Sequence, residues 1–75
     1  MSKLPQIKGN RLVKALGKVG WYTDRSRGSH VILKHENRPG VKIVIPVHSR
    51  PIKFGVLNNI LKDVELSIEE LKELL

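Results

Sequence analysis

The chain has no cysteine among its 75 residues, so neither a disulfide framework nor a thiolate metal site is available to it. Aromatics are scarce. Trp21, Tyr22 and Phe54 are the whole set, and the core must be built from aliphatic side chains. No apolar run approaches the length of a membrane span, and the N-terminus lacks the apolar stretch of a signal peptide. A soluble, cytoplasmic protein without a membrane partner is the default expectation. A single domain over residues 1–75 is expected, near the lower limit for folding without disulfides or metal.

Acidic residues are the most informative shortage. The net charge is +7, and it is unevenly spread. Residues 1–60 hold twelve Lys and Arg against only Asp24 and Glu36, whereas residues 61–75 hold Lys62 and Lys72 against Asp63, Glu65, Glu69, Glu70 and Glu73. Solubility alone does not require acids to be excluded from most of a chain. A basic body with an acidic tail points to a polyanion as partner, with a terminal helix facing elsewhere. The same shortage argues against bound Mg²⁺, whose sites are usually built from carboxylates, so neither metal nor cofactor is expected.

Periodicity gives the elements. Ile7–Val19 reads as a helix, with Leu12, Val13, Leu16 and Val19 on one side and Lys8, Arg11, Lys14 and Lys18 on the other. Gly20 is its expected stop. Trp21–Arg25 begins with residues suited to a strand, and Asp24–Gly28 is expected to make a polar, basic turn. Ser29–Glu36 and Val41–Val47 form a predicted hairpin through Asn37-Arg38-Pro39-Gly40. Val41, Ile43, Ile45 and Val47 should face the core. Matching them to Val31 and Leu33 needs a loop with an odd number of residues, which turns His30 to the opposite face with Ile32 and Lys34. Pro46 suggests a strand end or an edge. A second helix should start near Phe54, with Leu57, Ile60, Leu61 and Val64 at helical spacing. Ser67 and Glu70 form a capping box that opens a last short helix carrying Ile68, Leu71 and Leu75. The expected fold is a two-layer α+β domain of order α-β-β-β-α, with a three-stranded antiparallel sheet and a short extra C-terminal helix.

That order is the one found in double-stranded RNA-binding domains, whose first helix, strand-connecting loop and second-helix start touch minor grooves and phosphates. Cations occur in each equivalent zone: Lys8, Arg11, Lys14 and Lys18, then Arg25 and Arg27, then Arg50 and Lys53 just before a helix N-terminus. Ser29 and Lys34 extend the candidate RNA contacts. Each cation taken singly could be an ordinary solvated charge. Within this surface, Gly28-Ser29-His30 places a side chain able both to take and to give a proton near neutral pH. His35 is expected to be solvated. His48 reads either as a turn residue or as a second proton-transfer group, and Trp21 and Tyr22 either as core or as stacking platforms.

Several segments together carry a family resemblance. They are Gly28-Ser29-His30, Ile45-Pro46-Val47-His48, Gly55-Val56-Leu57, Ile60-Leu61-Lys62, and Leu66-Ser67 with Glu69-Glu70. In this order and spacing, from about Lys8 to Leu75, the chain resembles the HicA (YcfA-like) toxins, small mRNA interferases with a dsRBD-like fold. Val56 is a departure, since members commonly carry threonine there. The resemblance implies a type II toxin–antitoxin role, an mRNA substrate, His30 as the catalytic residue, and a HicB-type antitoxin covering the His30 face. RNA brings its own 2′-hydroxyl nucleophile, so a metal-independent endoribonuclease is chemically compatible, with Arg27 and Lys34 as candidate stabilisers of the transition state. The competing readings are a non-catalytic double-stranded-RNA-binding module using the same surface, and an adaptor that recruits proteins through its acidic helices.

Overall fold

The computed structural model describes residues 6–75; the first five residues of the N-terminal stretch considered above lie outside them. The elements are α1 (Gly9–Gly17), β1 (Trp21–Arg27), β2 (His30–His35), β3 (Lys42–Pro46), α2 (Phe54–Val64) and α3 (Ile68–Leu74). The strands form one antiparallel sheet in the order β1-β2-β3, so the expected α+β architecture with an added C-terminal helix is present. The first helix is shorter than its apolar pattern suggests. Ile7 is buried from an extended segment, where its carbonyl accepts from the Ile52 amide at 2.8 Å. Val19 lies past the helix end and is exposed rather than in the core.

The helices cover one face of the sheet. α1 lies against β1 and β3, α2 against β3, and α3 against α1. Leu12, Leu16, Leu33, Ile45, Leu57 and Leu71 are fully enclosed between the layers. Ile43 is also buried, with Val31, Val41 and Val47 half-buried at the margin, as their alternation requires. The register pairs Leu33 with Ile43 and Val31 with Ile45, leaving a five-residue loop between His35 and Val41. The odd count keeps both apolar sets inward. Trp21 joins the core, while Tyr22 is half exposed on the other face.

The expected turn at Asp24–Gly28 does not form. β1 instead continues to Arg27, and only Gly28-Ser29 connect it to β2. Gly28 sits at φ 57, the positive angle that a two-residue hairpin loop demands at its first central position and that glycine adopts without a Cβ clash. Polarity misled here because β1 is an edge strand, where charged side chains are expected. Moreover, β1 carries a bulge. Tyr22 pairs with Lys34 and Thr23 with Leu33, but Arg25 pairs with Ile32, so Asp24 is an extra residue. In unbroken alternation, Arg25 and Arg27 would share the face of Trp21 and Thr23. The bulge turns both arginines to the open face with His30.

His35 also departs from expectation. Its Nδ1 accepts from the Asn37 amide at 3.1 Å, so its Nε2–H donates to the Val19 carbonyl at 2.9 Å. The ring meets Trp21 edge-on at 5.1 Å. It joins α1's exit to the sheet and has a structural role.

Candidate nucleic-acid cleavage site

His30 opens β2 immediately after the Gly28-Ser29 turn, facing Arg27 across one strand pair and Pro46 across the other. Its side chain is exposed and makes no hydrogen bond or ion pair with any other described residue. Beyond Pro46, the Val47 amide donates to the Ser29 carbonyl at 2.6 Å, which holds the turn against the end of β3.

That end of the sheet borders a cleft of about 1110 Å³. Val44 and Pro46 form one wall, the first turn of α2 forms the other, and the 48–53 loop closes one end. His30 and His48 both line it, with Arg50 and Lys53 beside them. Among the described residues, no acid lines the cleft. Two helix starts converge here. Lys53 caps α2 without a side-chain hydrogen bond, and no acid occupies α2's first turn. α1 begins at Gly9, which lies so close to β3 that an added Cβ would collide with the Pro46 carbonyl oxygen. Lys8 bridges to Pro51, bringing it to the same end of the molecule.

The structure sorts the candidate cations into groups. Lys8, Arg27, Arg50 and Lys53 gather around the cleft end, and none of them makes an ion pair with another described residue. Arg11 and Lys14 follow along the exposed side of α1. Lys18 lies one helix length away, about 15 Å along the axis from Lys8, and its Nζ donates to the Leu74 carbonyl at 2.8 Å. Lys34 stands four residues from His30, about 13 Å along the strand, and pairs with Asp24 at 3.6 Å. Arg25 also binds Asp24, at 3.2 Å. Its hydrogen bond holds the Asp24 carboxyl below the ordinary range; partial desolvation opposes this and the Lys34 charge adds to it. Of the two cations suggested as stabilisers, then, Arg27 adjoins His30 and Lys34 does not. Ser29 sits in the turn, its carbonyl engaged with β3.

Phe54, not among the residues that the sequence marked out, is 69 % exposed and lines the cleft. Its place at the very start of a helix, ahead of the apolar stripe that begins at Leu57, was the available signal. Among the described residues, no three His, Asp or Glu side chains cluster as metal ligands would, and no helix is long and apolar enough to cross a membrane. A comparison with curated proteins found no match. Against family sequence profiles, residues 9–66 match the one described as the HicA toxin of bacterial toxin–antitoxin systems. That span takes in β1, β2 and β3, both helix starts and every residue of the cleft from His30 to Leu57, and the chain belongs to the HicA toxin family.

Proposed function

We propose that this toxin is a metal-independent endoribonuclease that cleaves mRNA, with His30 moving the reacting protons. The observation that carries the reading is a solvent-open imidazole with no partner among the described residues, facing Arg27 beside a cleft lined by cations. In the reaction, the 2′-oxygen forms a bond to phosphorus as the bond from phosphorus to the 5′-oxygen breaks. One group takes the 2′-hydroxyl proton and another supplies a proton to the departing 5′-oxygen. His30 takes one of these parts; that His48 lines the same cleft supports giving it the other. Arg27 stabilises charge gathering on the phosphoryl oxygens. Phosphates on either side of the scissile bond lie against Lys8, Arg50 and Lys53 and the free N–H groups of the helix starts.

The products are a 2′,3′-cyclic phosphate and a 5′-hydroxyl. With a generic transcript in EDTA, the intact chain should cut, and His30→Ala should cut about 10²- to 10⁴-fold more slowly. As His30 is exposed, the variant should fold normally and still bind RNA. Equal cleavage by both proteins, or different end groups, would remove His30 from the chemistry. No cleavage by either would favour the non-catalytic module. The family implies an antitoxin partner; we take it to be of the HicB type and to seat on the uncovered sheet face around His30. A complex that leaves this imidazole open to solvent would overturn that placement.

A further inference from the structure

We infer that the cleft beside His30 holds a single unpaired nucleobase stacked on Phe54. This selects single-stranded RNA as the substrate and makes Phe54 a positioning residue for cleavage. The inference rests on the RNA-cleaving reading above. Attack by the 2′-hydroxyl needs its oxygen in line with the bond that breaks, a geometry that a base stacked in an A-form helix does not provide. The base at the cut must therefore leave the stack, and enzymes acting on such a base hold it in a pocket, usually against an aromatic ring.

This chain has three aromatic side chains, and one of them is placed for that task. Trp21 is buried, and Tyr22 lies at the far end of the sheet opposite Lys34. Phe54 is largely exposed and lines the same cleft as His30. Val44 (44 % exposed), Val56 (39 % exposed) and Pro46 supply apolar walls. Arg50 and Lys53 charge the rim, and no acid among the described residues interrupts it. A ring set in apolar walls with a positive border matches a nucleotide, which joins a flat apolar base to an anionic phosphate. A purely apolar peptide would gain nothing from the border. The cleft volume of about 1110 Å³ leaves ample room for one base.

The double variant His30→Ala, Phe54→Trp provides a reporter that binds without cutting. Adding an unstructured 12-residue RNA should quench the emission of the introduced indole saturably, relative to His30→Ala alone, and a fully paired duplex of the same length should not. In cleavage assays, Phe54→Ala should be about 10- to 100-fold slower than wild type and Phe54→Trp should retain most of the rate. Equal quenching by duplex and single strand would overturn the inference, as would unimpaired cleavage by Phe54→Ala. If Phe54→Ala cuts normally but no longer binds the antitoxin, the cleft is a protein-docking groove and the inference fails. If the reporter is quenched by single strands while the wild-type chain leaves transcripts whole, the base site stands and the nuclease reading falls.

Discussion

Asp24, an acid in the bulge of β1, neutralises two cations that could otherwise meet phosphate. Its pairing with Arg25 and Lys34 lowers its proton affinity, so it stays ionised through neutral pH. A depressed carboxyl contributes its stabilisation above the ordinary carboxylate range and loses it as pH falls through the lowered value. Any pH dependence of RNA binding near neutrality must arise elsewhere. Asp24→Asn should free both cations and tighten binding of a labelled RNA by about 2- to 5-fold at low salt, less at high salt, as read by fluorescence anisotropy. Unchanged affinity would mean that Arg25 and Lys34 take no part. His35 shows the opposite fate for a polar side chain. It resembled a solvated strand-end histidine in sequence, but two hydrogen bonds and the Trp21 ring fix it in place.

The approach of α1 to β3 sets the geometry of the site, since it brings Lys8 and the first helix start beside Pro46 and His30. Gly9 makes that approach possible. Gly9→Ala should force the helix outward, lowering stability by about 1–3 kcal/mol in urea unfolding and reducing cleavage at temperatures where the variant is still folded. Wild-type stability would show that the contact can relax at no cost. Regular elements of this kind are legible in the residues themselves. Leu57, Ile60, Leu61 and Val64 repeat at the helical period and are all buried, and the Ser67–Glu70 capping box forms at 3.0 and 2.8 Å. Alternation with Val31 and Leu33, once these were matched to Ile43 and Ile45, was enough to predict which face His30 takes. The bulge at Asp24 was not legible, because an extra residue in one strand is decided by pairing with the next. The exposure of Phe54 was hidden for a related reason: an aromatic in a small chain reads as core until its neighbours are known.

Across the molecule, the cations divide into those at the cleft end and those beyond it. Replacing Lys53 or Arg50 with Ala should weaken RNA binding at every sequence and reduce the slope of log K against log salt by about 1, while Lys18→Ala should leave both unchanged. A Lys18 effect equal to that of Lys53 would favour a footprint running the length of α1. The acids gather at the other end. Arg38, in the β2–β3 loop opposite His30, bonds Glu65 at 2.7 Å, and the acidic α3 meets α1 near Lys18 rather than near Lys8. This arrangement gives the folded chain an electric dipole whose positive pole is the cleft. In the field of a polyanion, a tumbling molecule is then rotated mouth-first before it touches the strand, so the fraction of encounters that begin in a productive orientation is raised by torque alone.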